Sequence, residues 1–289
     1  MKAVIFCGGL GLRMREASSI VPKPMIPLGD RPLLWHLMKY YAHYGVTDFI
    51  LCAGYKAEVI QDYFERADHD ARRWVVHEAG ERVEMLTGDM SGWSITIVDT
   101  GIETSISDRL AAAGDYIEGD DRFLATYGDG LTDAHLPTII AAARTAGTDA
   151  TVMCARPSYS CHILRLGADD ASDVPMSSVD SLANMREMDL WINAGFLVLR
   201  RAALEAIHPG DDFAEGTLTR LAREGRLTAY RHEGFWRGVD TMREWQGMDE
   251  IFRSGLAPWA VWQHAGPDGH VAGDSTAHGA VPVRLGAEA

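Results

Sequence analysis

From its first residues the chain alternates two hydrophobic rhythms. KAVIFC, Lys2 to Cys7, is a short unbroken apolar run, the pattern of a strand buried on both faces. In RPLLWHLMKYYAHYG, Leu33, Leu34, Leu37, Met38 and Tyr41 recur at helical spacing instead, and Gly45 supplies a stop. The exchange repeats along the first half. DFILCAG reads as a strand and AEVIQDYFER as a helix; WSITIVDTG reads as a strand and RLAAAGDYI as a short helix. RFLATYGDG then reads as a strand ending in a Gly-Asp-Gly turn, LPTIIAAARTAG as a helix and TDATVMCA as a strand. Such alternation predicts βαβ units, an α/β fold with a mostly parallel sheet covered by helices.

The second half is less regular. CHILRL, GFLVLR and LTAYRH are strand-like, and helices are expected near DDFAEGTLTRLARE and TMREWQGMDEIFR. The polar stretch from about Gly167 to Met188 reads as a loop excursion, and there is no internal repeat. Residues 263–289 offer few large apolar groups and read as a flexible tail. The expected organisation is one domain over 1–262 followed by a tail over 263–289.

Composition narrows the function classes. A chain of 289 residues with 47% hydrophobic content can bury a sizeable core. Its net charge of −14, with no basic block, argues against nucleic-acid and anionic-membrane partners. An anionic ligand must therefore be held by a few local cations or backbone amides. Cys7, Cys52, Cys154 and Cys161 show no metal-type spacing, and reduced, buried thiols are expected for the three that lie in apolar runs. No leader precedes Lys2 and no apolar run approaches the roughly 18 residues of a spanning helix, so the expected compartment is the cytoplasm.

Against that background, GGLGLRMRE carries the first chemical signal. Gly8, Gly9 and Gly11 expose backbone directly after the first strand, and Arg13 and Arg15 follow. Either a phosphate sits there or the glycines make a tight turn with solvated arginines. A P-loop requires a Gly-Lys-Ser/Thr end, which is missing, and a dinucleotide fingerprint requires a glycine where Met14 stands. Lys23, stiffened between Pro22 and Pro24, is a second cation ten residues beyond Arg13.

Together, GGLGLRMRE and PKPMIPLGDRPLLWHLMKYYAHYG resemble the opening of the sugar-phosphate nucleotidyltransferases. DFILCAGYKAEVIQDYF, ITIVDTG, ATYGDGLTD, INAGFLVL, EGFWRGVDT and GLAPWAVW then follow in the order seen in the glucose-1-phosphate cytidylyltransferase branch, as far as about Trp262. The resemblance implies a Rossmann-like nucleotidyltransferase fold with a mixed, mostly parallel central sheet and a small sugar-binding, C-terminal portion. It implies a nucleoside triphosphate and a sugar 1-phosphate as substrates, and a homo-oligomer. CTP and glucose 1-phosphate are the expected pair. The alternatives are another base (UTP, dTTP or GTP) or a modified sugar in a specialised pathway, or a catalytically weak nucleotide-binding protein.

By the same resemblance, Gly8, Gly9 and Gly11 hold the nucleotide, Arg13 faces the departing phosphates and Lys23 stabilises the α-phosphate. Arg109 matches a base-contact position. Asp129 and Asp240 match two magnesium ligands, although a turn aspartate and a helix N-cap are the plainer readings of the same residues. Asn193 matches a sugar contact, with a strand-edge turn as its plainer reading. Trp236, Trp259 and Trp262 are expected in packing. The family's Glu-Lys-Pro, whose lysine grips the sugar phosphate, has no counterpart in ANMREMDLW, so Arg186 or Arg156 is the expected substitute.

Overall fold

A computed structural model describes residues 1–9, 21–66, 72–77, 80–85, 88–117, 119, 121–157, 161–169 and 176–264. Gly11 and Arg13 lie outside these residues, as do residues 265–289 of the expected tail. β1 (Lys2–Phe6) is the strand that KAVIFC predicts. Two short strands, β2 (Pro27–Leu28) and β3 (Arg31–Pro32), pair ahead of α1 (Leu33–His43). There follow β4 (Asp48–Ala53), α2 (Ala57–Arg66), β5 (Arg72–His77), β6 (Gly80–Met85), β7 (Ser94–Asp99) and α3 (Ile106–Ala113). Next come β8 (Arg122–Tyr127), β9 (Gly130–Thr132), α4 (Leu136–Ala146) and β10 (Ala150–Ala155). β11 (His162–Asp169) and β12 (Ser177–Asn184) precede β13 (Ile192–Arg200). A π-helical turn, Phe213–Leu218, leads into α5 (Thr219–Arg223), β14 (Leu227–His232) and β15 (Trp236–Gly238). α6 (Met242–Arg253) and α7 (Val261–His264) close the described chain.

Nine of these strands form one sheet in the order β14-β10-β13-β8-β1-β4-β7-β6-β5. β8, β1, β4 and β7 are mutually parallel, and within the sheet β13 and β6 are the two strands that run against the rest. The mostly parallel sheet expected from the alternation, with the mixed character that the resemblance implies, is therefore present. Alternate residues of β1 show why both faces are covered. Ala3 and Ile5 pack with α1 in one core layer, while Val4 and Phe6 pack with Leu110 of α3 and Phe213 in the other. Cys7, Cys52 and Cys154 are buried free thiols, as expected, and Cys161 is partly exposed.

Two features depart from the sequence reading. β5 and β6 were not foreseen, because the charges in RRWVVH and GERVEM interrupt the apolar period. The stretch expected as a loop excursion contains β12, paired antiparallel with β11. Its strands carry apolar residues that face solvent, such as Leu164 and Leu182, so no buried face imposes a clean alternation on the sequence.

Candidate active site

Parallel strands deliver their carboxyl ends to one edge of the sheet, where open α/β sheets bind ligands. β1 ends there in Cys7, Gly8 and Gly9, and β8 ends in Tyr127, Gly128 and Asp129. Between them lies a cavity of about 170 Å³ bordered by Phe6, Gly9, Lys23, Ile106, Tyr127 and Asp129.

The two leading glycines have different reasons. A Cβ on Gly8 would collide with the Arg109 guanidinium, so the protein itself demands glycine there. A Cβ on Gly9 would meet nothing within 4 Å among the described residues. The bare backbone at Gly9 borders the cavity.

Lys23 opens a short 3₁₀ turn, Lys23–Met25, with Pro22 extended before it and Pro24 buried after it. Its ammonium lies 2.6 Å from Asp129 Oδ2 and 2.7 Å from Asp240 Oδ1. Burial alone would lower the lysine pKa, but Asp129 and then Asp240 outweigh it and hold the ammonium above its ordinary value. The meeting of two distant aspartates has a local cause. β9 and β15 form a small antiparallel ribbon in which Gly130 faces Gly238, and Val239 N donates to Asp129 O at 2.9 Å. Asp129 stands just before one strand of this ribbon and Asp240 just after the other. The N-cap of α6 is Thr241, in a capping box with Glu244, so the helix-cap reading of Asp240 is set aside.

Only two protein carboxylates converge; no group of three or more His, Cys, Asp or Glu side chains suited to a metal occurs among the described residues. Two charged oxygens aimed at one cation still fit a hard divalent ion, which takes its remaining oxygens from phosphates and water.

The other expected site residues fall around this centre. Arg109 is 2% exposed, and its guanidinium donates to Ala53 O at 3.0 Å, to Gly8 O and Ile102 O at 3.2 Å each, and to Thr100 Oγ1. Instead of projecting into open space, it fastens the glycine segment of β1 to the ends of β4 and β7. Asn193 accepts from Gly195 N at 2.8 Å, as a strand-edge turn does, and also hydrogen-bonds Tyr127. Gly195 has φ +77°, and a Cβ there would strike the Tyr127 ring. Arg156 pairs with Asp189 Oδ1 at 2.8 Å and lies 4.1 Å over the Trp191 ring. Arg186 is exposed on the turn Met185–Glu187 that leaves β12. Trp259 and Trp262 pack in the core as expected, and Trp236 Nε1 donates to Ala194 O at 2.8 Å.

Tyr127 was missed. Burial, reinforced by Asp212 and Asp129, pushes its phenol up to about 12 against the Asn193 hydrogen bond, so it stays a neutral hydroxyl at the cavity wall. The available signal was its place directly before the Gly-Asp-Gly turn.

Residues 2–160 match the Nucleotidyl transferase family. A glucose-1-phosphate cytidylyltransferase of Salmonella typhi is 35% identical over 265 residues, covering 91% of this chain and all of that protein. A mannose-1-phosphate guanyltransferase of Gibberella zeae is 23% identical over 261 residues, covering 89% of this chain and 65% of that one. Among solved structures, UDP-glucose pyrophosphorylase complexed with UDP-glucose superposes with a TM-score of 0.63 at 14% identity, covering 88% of this chain and 98% of the other. The shared fold, the match over more than half the chain and the full-length likeness lead to one conclusion: the chain belongs to the sugar-phosphate nucleotidyltransferases and is a nucleotidyltransferase enzyme.

Proposed function

We propose that this enzyme transfers a cytidylyl group from CTP to glucose 1-phosphate, giving CDP-glucose and pyrophosphate. One observation carries the reading: Lys23, Asp129 and Asp240 meet at the edge of the sheet beside the open backbone of Gly9. A pure binding module has no need of two carboxylates trained on one cation. The full-length likeness to a glucose-1-phosphate cytidylyltransferase supports the choice of base and sugar.

In the reaction, an oxygen of the sugar phosphate attacks the α-phosphorus, the bond to the β-phosphate breaks, and pyrophosphate departs with that electron pair. Such chemistry asks for positioning and charge neutralisation. By resemblance, Lys23 meets α-phosphate charge and Arg13 meets the leaving group. Gly8, Gly9 and Gly11, by the same resemblance, offer the nucleotide its backbone approach, with Arg109 bracing Gly8 from behind. Asp129 and Asp240 would hold magnesium, which when bound draws charge from the phosphate oxygens. Asn193 is assigned to the sugar side of the site.

A second reading, the same chemistry with another base or a modified sugar, is favoured by one feature: no Glu-Lys-Pro precedes INAG. Pyrophosphate release from four nucleoside triphosphates against a panel of sugar 1-phosphates separates the two. Preferred turnover with CTP and glucose 1-phosphate supports the first; preference for GTP or ATP across the panel sinks it. A cytoplasmic homo-oligomer completes the proposal. No described helix is long and apolar enough to cross a membrane. The solvent-facing Leu164, Leu166, Val179 and Leu182 of β11 and β12 offer an apolar surface for a second subunit.

A further inference from the structure

Of the two arginines singled out in the sequence as substitutes for the missing sugar-phosphate lysine, one is already engaged by a carboxylate. Arg156 is neutralised by Asp189, which also accepts from Trp191 Nε1 at 3.1 Å. Arg186 stands on the turn leaving the β11–β12 pair. A third guanidinium shares an indole with Arg156. Arg231, near the carboxyl end of β14, approaches Trp191 to 5.9 Å, so that indole has two arginines around it and a single carboxylate serves both.

We propose that Arg231, braced against Trp191, receives the phosphate of the acceptor sugar. The inference rests on the nucleotidyltransfer reading above and adds the residue that grips its acceptor. Three observations support it. The first is charge. Among the described residues Arg231 forms no ion pair within 4.0 Å, as is also true of Arg122, Arg201 and Arg237; what sets it apart is its place beside Trp191, where Asp189 is already paired with Arg156. In a chain of net charge −14, a cation held in place without its own carboxylate is a standing attraction for an anion.

The second observation is the face of the sheet. Arg231 pairs across from Cys154, two residues beyond Val152, and alternates with Leu227. Val152 and Leu227 belong to the core layer that also holds Phe6 and Tyr127, which border the cavity. Arg231 and the cavity therefore open on the same side of the sheet, at the same edge.

The third is reach. β14 lies three strand positions from β8, about 14 Å at the usual strand spacing. An extended arginine and two adjoining phosphoryl groups bridge such a span, with Lys23 at the far end. Asn193, on the β13 strand between β10 and β8, is bonded to Tyr127 at the cavity. A guanidinium suits the task because its fork can meet two phosphate oxygens at once.

The test compares wild type with Arg231→Ala, Arg231→Lys and, as a control on an exposed helical site, Arg144→Ala. Arg231→Ala should raise the KM for glucose 1-phosphate by about ten- to a hundred-fold, the loss of one charge-assisted hydrogen bond, and leave the KM for CTP unchanged. Arg231→Lys should recover part of the loss, and Arg144→Ala should match wild type. Unchanged acceptor kinetics in Arg231→Ala, or equal rises in both KM values, overturn the proposal. Calorimetric titration with glucose 1-phosphate keeps the two readings apart. If no nucleotide is turned over, nucleotidyltransfer from this panel fails, yet weaker acceptor binding in Arg231→Ala than in wild type still upholds the role of Arg231. Absence of glucose 1-phosphate binding to wild type overturns it.

Discussion

The carboxylates of Asp129 and Asp240, brought side by side by the β9–β15 ribbon, close on one ammonium at 2.6 and 2.7 Å. If they serve one magnesium ion, losing either disables the same site. Asp129→Asn and Asp240→Asn should each fold and each lose most turnover at saturating magnesium, and the double variant should be little worse than the poorer single one. Penalties that multiply would assign the two aspartates separate tasks.

Lys23 also keeps these two carboxylates from repelling each other. In Lys23→Met the pair is left facing itself, and a divalent cation gains a site of undivided negative charge. Added magnesium should therefore raise the melting temperature of Lys23→Met more than that of wild type. An equal response in both proteins would place the metal elsewhere.

The glycines divide into two kinds, and alanine substitution separates them. Gly195→Ala combines a left-handed backbone with a collision against Tyr127 and should cost about 1–3 kcal/mol in unfolding free energy. Gly9→Ala meets no described residue and should melt like wild type, while weakening nucleotide binding in a titration with CTP. Unchanged affinity in Gly9→Ala would return Gly9 to an ordinary turn.

His36 makes stability depend on acid. Its Nε2 donates to Leu28 O at 2.8 Å, its Nδ1 is buried without a partner, and Phe252 packs against the ring at 4.7 Å. Burial lowers its pKa to about 4. The unfolded histidine takes a proton near its ordinary value, so the neutral ring's contribution is complete above about pH 6.5 and is lost as pH falls toward about 4. The loss is at most about 1.4 kcal/mol per pH unit. His36→Gln retains a donor for Leu28 O without titrating, and denaturant unfolding from pH 7 to 4.5 should show a shallower decline than wild type. Parallel declines would exclude His36 as the source.

How much of this was legible in the sequence depended on burial. β1, α1, β4 and β8 could be read because their apolar residues face a core, and burial enforces a period. β5, β6 and β12 were missed because charge or two-sided exposure blurs that period. Lys23 and Asp129 were visible as motifs around prolines and glycines. The placement of Asp240 was not, because the ribbon that brings it to Asp129 pairs three residues with three others far away in the chain. Arg109 showed its charge in the sequence but not its occupation, since backbone carbonyls from three separate segments take up its donors. Arg231 sits in a strand-like run where an exposed arginine is unremarkable, and only the fold sets it beside Trp191.

The reversal of β13 between β10 and β8 has a consequence for how such a protein can diversify. Because β13 runs against β10, one strand ends and the next begins at the same edge, with Cys154 paired to Asn193. Everything from Arg156 to Trp191 is therefore a closed detour whose two ends are already neighbours. Lengthening or rewriting a detour of that kind costs little, since closure entropy grows only slowly with loop length. The reacting centre, built on β1, β8 and the β9–β15 ribbon, lies outside the detour. The fold thus sets apart a surface excursion, carrying Trp191 at its far end, that can be redrafted while Arg231, Asn193 and the machinery for breaking the phosphate bond stay as they are.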